Sequence, residues 1–370
     1  MTTDPGSLDP RLLEHHGDVE ARGMLDFAVN VSVPAPPEFV RAAITAALGD
    51  LSAYPDPSAA TAHLAGHLGV PGDRILLTNG AAEAFHLLAR ARAWRRPVVV
   101  HPQFTEPDTA LRAAGLDPGW HVLRAPRFVL DAAEFDAAHP GADLVVLGNP
   151  TNPTSVLHPA ADLLRLRRPG RVLVVDEAFL DVVPREQDTL LRHAGAGEGV
   201  VVVRSLTKTF GLAGLRAGFL VGDPDVIEAC ARVQPHWSVN HLASTAVEAV
   251  ATAEGVAHVA DVSRRIAQNR PRLVDGLTGL GFAVVGPRPV PSSWPPTRGR
   301  RNCDSACASR ESRSGARTPF PGSDPPGCGS RSATPARPTI CSTPSPRSCA
   351  RSSTRERSTY DDPTHGSPRA

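Results

Sequence analysis

The chain has 370 residues and a formal net charge of +1, with 39 Lys and Arg against 38 Asp and Glu. This balance argues against nucleic-acid binding through bulk positive charge. No run approaches the roughly 20 apolar residues that cross a bilayer, and the N-terminus has no basic region followed by an apolar run. We therefore expect a cytoplasmic protein of about two domains, at roughly 150 residues per domain, with neither nucleic acid nor membrane as a partner.

Residues 1–290 alternate apolar runs with stretches rich in Ala, Leu and Arg, a pattern typical of βα units around a mostly parallel sheet. The runs that predict buried strands are residues 98–102, 143–150, 171–179, 199–206 and 217–223. Each run ends in polar or small residues, and open α/β sheets bind ligands at the carboxyl ends of their strands. The sequence predicts an α/β fold with a ligand site along one edge of the sheet.

The composition changes after residue 290. In residues 291–370, Ser, Pro, Arg and Thr make up 50 of 80 positions, and Leu, Val and Met do not occur. So little apolar surface cannot offset the conformational entropy lost on ordering, which predicts a disordered tail. Five of the six cysteines lie in this tail, but Cys303 and Cys307 lack a second pair at zinc-ligand spacing, so a zinc site is not favoured.

All but one of the Lys and Arg side chains are arginine, and Lys208 is the only lysine. A guanidinium stays protonated, whereas a lysine amine can form an imine with an aldehyde. Lys208 lies in SLTKTFGLAGLRAG, directly after a predicted strand, with Ser205 three residues before it and Arg216 eight after it. A hydroxyl and a guanidinium at these positions can reach one phosphate. On composition alone, the chance survival of one surface lysine remains the alternative.

Further polar and aromatic positions follow the other predicted strands. Asp176 ends VVDEAF, Asn152 lies in GNPTNPTS and Phe104 lies in HPQFTEP. Gly80 and Ala81 open a helix after a strand, where free backbone amides favour an anion. Taken singly, each position has a structural explanation as a helix cap, a turn residue or a core side chain. Their joint occurrence in this order favours one shared site.

This set of motifs resembles the fold-type I pyridoxal-phosphate enzymes of the class I and II aminotransferase family. The resemblance implies pyridoxal phosphate as the cofactor and an α/β, aspartate-aminotransferase-like large domain with a mostly parallel sheet. Compared with that family, the small domain is expected to be incomplete, and it is followed by the tail that the composition predicts to be disordered. The divisions are residues 1–45 as the N-terminal segment of the small domain with a substrate loop, 46–260 as the cofactor-binding large domain, 261–290 as the start of the C-terminal small domain, and 291–370 as the tail.

The resemblance assigns roles to the residues above. Lys208 would form the imine with the cofactor, and Asp176 would hold the pyridine nitrogen protonated. The other implied cofactor contacts are Gly80, Ala81, Ser205 and Arg216 at the phosphate, Asn152 at the phenolic oxygen and Phe104 on the ring. Ala81 stands where the family usually carries Ser or Thr. Tyr54 in AYPDP resembles the tyrosine that reaches a phosphate in the partner subunit, so a homodimer is expected.

Within the family, the chain is most similar to the branch of histidinol-phosphate aminotransferases and threonine-phosphate decarboxylases of cobalamin synthesis, so a phosphorylated amino acid is the expected substrate. The segments HHGDVEARG and HPQFTEP favour the decarboxylase. So does Phe179 in DEAFLD, where the aminotransferases usually carry tyrosine. His16 and Arg22 are candidates at the substrate phosphate, and Asn30 in LDFAVNVS matches a substrate loop. Transamination of the histidinol-phosphate type is the alternative reaction.

The tail has two competing interpretations. Family members end in a small domain that carries an arginine for the substrate carboxylate, and residues 291–370 contain no such segment. A shifted reading frame near residue 290 would explain this, because RTPFPGSDPPGCGSRSAT can be back-translated so that a neighbouring frame reads DTFPGLGPAWLRVAVRD. Cofactor binding would then persist while turnover is lost. The interpretation from another class is an inactive remnant of the fold with an interaction tail. Resequencing the gene distinguishes the two.

Overall fold

The computed structural model describes residues 25, 27 and 29–285, which form an α/β fold as predicted. The helices are α1 (Glu38–Ala46), α2 (Ser58–Leu68), α3 (Gly80–Ala91), α4 (Glu106–Ala113), α5 (Ala132–Ala138), α6 (Ala160–Leu164), α7 (Pro224–Val233), α8 (His241–Val250) and α9 (Ala253–Gly279). The strands are β1 (Ile75–Asn79), β2 (Pro97–His101), β3 (Gly119–Val122), β4 (Leu144–Gly148), β5 (Val172–Asp176), β6 (Val200–Ser205) and β7 (Ala217–Val221). Short 3-10 turns lie at Ala47–Asp50, Gly72–Arg74, Leu180–Val182 and Pro184–Glu186.

The seven strands form one sheet in the order β1-β7-β6-β5-β4-β2-β3. β7 runs antiparallel to both of its neighbours, and the other neighbouring pairs are parallel. The carboxyl ends of the parallel strands therefore share one edge with the first residue of β7, Ala217. The mostly parallel sheet is confirmed. The short strand β3 was not predicted, because GWHV contains no apolar run.

Both faces of the sheet are buried. In β4, Val145 and Leu147 belong to the core on one face, while Leu144 and Val146 belong to the core on the other. Helices α1, α2 and α8 cover the first face, and helices α3, α4 and α7 cover the second. Strands buried on both sides need apolar side chains at every position, which explains the unbroken Val and Leu runs.

Helix α9 continues through the predicted domain boundary at residue 260, so the domain division stays a prediction. The Thr252 side chain caps its start by accepting from Gly255 N, and Ser263 Oγ donates to Val182 O at 3.0 Å. Within the part of the chain that the structure describes, no helix combines the length and apolar character of a membrane span. The cytoplasmic location stays a prediction, and the predicted tail lies outside the described residues.

A close backbone contact joins β7 to the first turn of α3. A Cβ placed on Gly218 would lie 2.8 Å from Gly80 C, 2.9 Å from Ala81 N and 2.9 Å from Arg204 O. All three atoms are backbone, so no side-chain movement can relieve such a contact. The missing side chain at Gly218 therefore lets the start of α3 lie against the end of the sheet.

We expect Gly218→Ala to lower the free energy of unfolding by about 1–3 kcal/mol, because a methyl group forced into packed backbone strains it. Urea unfolding of the cofactor-free protein measures the change. Gly214→Ala is the matched control, since a Cβ at Gly214 meets no atom within 4 Å. Equal stability of the two variants would show that the contact is not tight.

Candidate active site

The carboxyl edge of the sheet brings the predicted catalytic residues together. Asp176 is the last residue of β5, Ser205 is the last residue of β6, and Lys208 follows three residues later. Val203 of β6 lies opposite Asp176 in the parallel register. The Lys208 ammonium is near enough to act electrostatically on the Asp176 carboxyl, which places an amine and a carboxyl in the same site.

The start of α3 forms a cradle for an anion. Gly80 has φ +78°. A Cβ built on it would lie 2.6 Å from Arg216 Nη2, so the guanidinium lies against the glycine backbone. Arg216 itself has φ 64°, and its Nη1 donates to Ala213 O at 3.1 Å. A guanidinium beside the first backbone amides of a helix suits a phosphate.

Ser205 belongs to the same region, because it lies opposite Gly218 in the sheet register and Gly218 approaches the backbone of Gly80 and Ala81. Its Oγ accepts from Thr207 N at 3.3 Å and shares a hydrogen bond of 2.7 Å with Thr207 Oγ1. The four residues predicted at a phosphate are thus gathered around the β6, β7 and α3 termini.

The Asp176 carboxyl has an altered proton affinity. Burial raises its pKa from 3.8 to about 6, although the hydrogen bond from Ala178 N at 3.0 Å and the charge of Lys208 both oppose the rise. The neighbouring Glu177 charge adds to it. The Lys208 charge offsets only a small part of the effect of burial on Asp176. A buried carboxyl whose charge is incompletely balanced can pair with a protonated ring nitrogen.

A buried ion pair behind the site was not predicted. Glu177 is 1 % exposed, and its Oε2 lies 2.8 Å from Arg204 Nη2. Leu190 N and Thr189 Oγ1 also donate to this carboxylate, at 2.7 and 2.9 Å. Burial raises the pKa of Glu177, and the Arg204 charge opposes this. The pair lies one residue away from Asp176 and Ser205, so it adds a side-chain link to the backbone register that fixes the spacing of these two site residues.

A cavity of about 710 Å³ adjoins the lysine. Asn30, Asn152 and Phe179 line it, and the Phe179 ring centroid is 6.0 Å from Lys208 Nζ. Ser32 N, also from the lining, donates to Lys208 O at 2.9 Å and ties the N-terminal segment to the lysine loop. The structure therefore brings Asn30 and Asn152, both predicted from motifs, to one cavity.

Helix α9 supplies a wall of this cavity through Ile266, Ala267, Arg270 and Pro271. Arg265 of the same helix donates from Nη2 to Ser32 O at 2.7 Å. These residues were not predicted, because a helical pattern alone does not show which neighbour its faces meet. The sequence signal that could have indicated this wall is the presence of arginines in a helix that crosses the predicted domain boundary.

Tyr54 and Phe104, also predicted at the site, are outside this cavity. Tyr54 is 76 % exposed and stacks on Trp237, with ring centroids 4.4 Å apart and an interplanar angle of 25°. Phe104 is 38 % exposed, between β2 and α4. Neither lines the cavity. His16 and Arg22 lie outside the described residues, so the assigned roles stay predictions.

Residues 22–291 match the family described as aminotransferase class I and II. Because the match spans well over half of the chain, the protein belongs to this family. The family prediction is confirmed. The match ends at the residue where the Ser-, Pro- and Arg-rich composition begins.

Two similar curated proteins carry different activities in their names. A histidinol-phosphate aminotransferase of Mycobacterium bovis is 46% identical over 275 residues, which is 73% of this chain and 74% of that protein. A threonine-phosphate decarboxylase of Salmonella typhimurium is 35% identical over 234 residues, which is 61% of this chain and 64% of that protein. The similarity therefore spans both reactions considered above.

Solved structures share the fold. The histidinol-phosphate aminotransferase of Sinorhizobium meliloti, in complex with pyridoxal phosphate, has a TM-score of 0.64 at 23% identity and covers 75% of this chain and 76% of its own. The L-threonine-O-3-phosphate decarboxylase of Porphyromonas gingivalis has a TM-score of 0.60 at 25% identity, with 70% and 77% covered. The predicted transferase-like fold is confirmed, and so is pyridoxal phosphate as the cofactor of this family.

The residues at the sheet edge fit that cofactor. The absence of a side chain at Gly80 leaves the Arg216 guanidinium beside helix amides, which suits a phosphate. Asp176 offers a carboxyl for a ring nitrogen, and Lys208 offers the amine for an aldehyde. Within the described residues these groups lie on neighbouring strand ends, so one small molecule can contact all of them.

We expect Asp176→Asn to stabilise the cofactor-free protein at high pH. The folded-state pKa of about 6 lies above the usual 3.8, so ionisation of Asp176 is less favourable in the folded protein than in the unfolded chain. The contribution of the neutral carboxyl to the free energy of unfolding is therefore complete below about pH 4 and is lost as the pH rises through 6. The amide cannot ionise, so the variant should gain on the order of 2 kcal/mol above pH 7, a figure reduced for residual solvent exposure.

Urea unfolding between pH 5 and pH 8 measures this difference. Asp275→Asn, an exposed position on α9, serves as the control. A difference between Asp176→Asn and the parent chain that stays constant across this range would contradict the raised pKa.

Proposed function

We propose that this protein is a pyridoxal-phosphate enzyme that decarboxylates a phosphorylated amino acid of the threonine-phosphate type. The observation that carries the proposal is the convergence of Lys208, Asp176 and the Gly80–Arg216 cradle at one edge of the sheet. The 35% identical decarboxylase supports the substrate class.

Each residue at this edge has a distinct task. When bound, the cofactor supplies a conjugated ring that accepts the electron pair of a broken bond at the substrate α-carbon. Lys208 Nζ is the group placed to deliver a proton to that carbon. The Asp176 carboxylate holds the ring nitrogen in its cationic form, and Arg216 with the helix amides holds the cofactor phosphate.

The wall of this cavity has an apolar part and a polar, cationic part. It includes the apolar side chains Phe179, Val182 and Val29 together with the cation Arg270, and the Phe179 ring centroid is 6.0 Å from Lys208 Nζ. A carboxylate held against the apolar part is poorly solvated, and its departure as neutral carbon dioxide would remove that cost, whereas Arg270 can pair with an anionic group of the substrate. Asn30 and Asn152, on the same cavity, are placed to orient the polar groups of the substrate.

Transamination is the second candidate, favoured by the 46% identity to a protein named as a histidinol-phosphate aminotransferase. In that reaction Lys208 Nζ would remove the α-proton and would carry it to the aldehyde carbon of the cofactor. An inactive remnant of the fold with an interaction tail is the candidate from another class. All three differ in what the purified full chain does with cofactor and substrate.

We expect purified protein with added pyridoxal phosphate to show a visible absorbance band that borohydride removes, with the label on Lys208 by peptide mass mapping. Lys208→Arg should abolish the band, because arginine cannot form an imine. Threonine phosphate should then yield an amino-alcohol phosphate and carbon dioxide. An oxo product with consumption of a keto acid would select transamination, and a missing band in the parent chain would favour the inactive remnant.

We also propose a homodimer through the surface around Tyr54. Four large apolar side chains there are at least half exposed: Leu48 at 50 %, Leu51 at 53 %, Tyr54 at 76 % and Trp237 at 59 %. Exposed apolar side chains of this size are typical of subunit contacts. Tyr54 would extend from this surface toward the phosphate site of a second copy.

We expect Leu51→Glu to weaken dimer formation by about tenfold or more, since a carboxylate would be desolvated at the contact. Sedimentation velocity over a concentration series measures the association. Leu280→Glu is the matched control, because Leu280 is 78 % exposed at the far end of α9. Equal association of both variants would place the subunit contact elsewhere.

A further inference from the structure

One carboxylate oxygen of Glu83 joins two distant segments. Glu83 Oε2 accepts from Asn79 N at 2.6 Å, from Gln234 Nε2 at 3.2 Å and from Ser238 Oγ at 3.2 Å. Asn79 ends β1, whereas Gln234 and Ser238 follow α7. Hydrogen bonds to an ionised acceptor are roughly twice as strong as neutral ones, so this junction is a firm link.

The first arm of the junction ends at the phosphate cradle. Asn79 directly precedes Gly80, and its own side chain makes no capping hydrogen bond. Glu83 therefore provides the capping acceptor for the backbone at the start of α3. A fixed first turn keeps the Gly80 and Ala81 amides aimed at one point, which is what an anion site requires.

The second arm ends at the exposed aromatic pair. Trp237 lies between the two side chains that Glu83 holds, and its φ of 58° is unfavourable for a residue other than glycine. Such a conformation persists only when its surroundings hold it. Gln234 adds a second anchor by donating to Leu77 O at 2.9 Å. Trp237 in turn carries the stacked ring of Tyr54.

We propose that Glu83 is a positioning residue that couples the phosphate cradle at the start of α3 to the Tyr54–Trp237 surface. An anion bound at Gly80 and Ala81 steadies the first turn, and through Glu83 it steadies the segment that presents Trp237. Coupling of this kind is reciprocal, so contacts made at the aromatic pair tighten the hold on the anion. The inference rests on the proposed function only in taking the cofactor phosphate as that anion.

The first test uses the cofactor-free full chain and hydrogen-deuterium exchange read by mass spectrometry. In Glu83→Ala, the backbone amides of residues 79–82 and of residues 234–239 should both exchange about tenfold faster, because each segment loses an ionic hydrogen bond. Glu83→Gln keeps an acceptor oxygen and should restore most of the protection. Glu228→Ala is the control, since Glu228 pairs only with Arg232 of its own helix in the contacts described. Faster exchange in one segment alone, or in neither, overturns the coupling.

The second test compares the affinity for pyridoxal phosphate with that for pyridoxal, which lacks the phosphate. Glu83→Ala should weaken binding of the phosphorylated compound by about tenfold and leave pyridoxal binding unchanged, with Glu83→Gln again close to the parent chain. Equal weakening of both compounds would indicate general damage and would overturn the positioning role. If the parent chain binds neither compound, the proposed function fails, while the exchange experiment still decides the coupling.

Discussion

The contact between β7 and the first turn of α3 is the constraint on which the site depends. Gly218 permits it, because any side chain there would meet three backbone atoms. The contact brings the first backbone amides of α3 close to Ser205, the last residue of β6, and to the guanidinium of Arg216, which precedes β7. Strand order does the rest, since the antiparallel β7 starts where the parallel β5 and β6 end.

Asp176 and Glu177, two adjacent carboxyls at the end of β5, have different electrostatic surroundings. Side chains of successive strand residues point to opposite faces. Glu177 pairs with Arg204 of β6 at 2.8 Å, and Arg204 also pairs with Glu186 at 2.7 Å. Asp176 keeps a raised pKa because the hydrogen bond from Ala178 N and the Lys208 charge offset only part of the effect of its burial. Structural and chemical roles thus occupy neighbouring positions without sharing a partner.

The sequence predicted most of the strands, because fully buried strands leave unbroken apolar runs that stop where polar residues begin. The same runs placed Lys208, Asp176 and Asn152 after strands, while their roles came from the family resemblance and stay predictions. Residues that depend on tertiary neighbours could not: Arg204 partners a carboxylate on another strand, and Glu83 receives donors about 150 positions away. Arg204 in the run GVVVVRSL was a visible signal, since a buried charge requires a partner.

Lys208 at the sheet edge has a consequence for specificity. Aldehydes are indiscriminate electrophiles that condense with any accessible lysine, and most proteins of this length offer many. Here Lys208 is the only lysine among 39 Lys and Arg residues, so the chain carries its positive charge almost entirely as arginine, which offers no amine nucleophile. The side chains of this protein therefore offer a single primary amine to a reactive carbonyl compound. Other proteins must activate one lysine above many, whereas here the composition itself limits imine formation on side chains to Lys208.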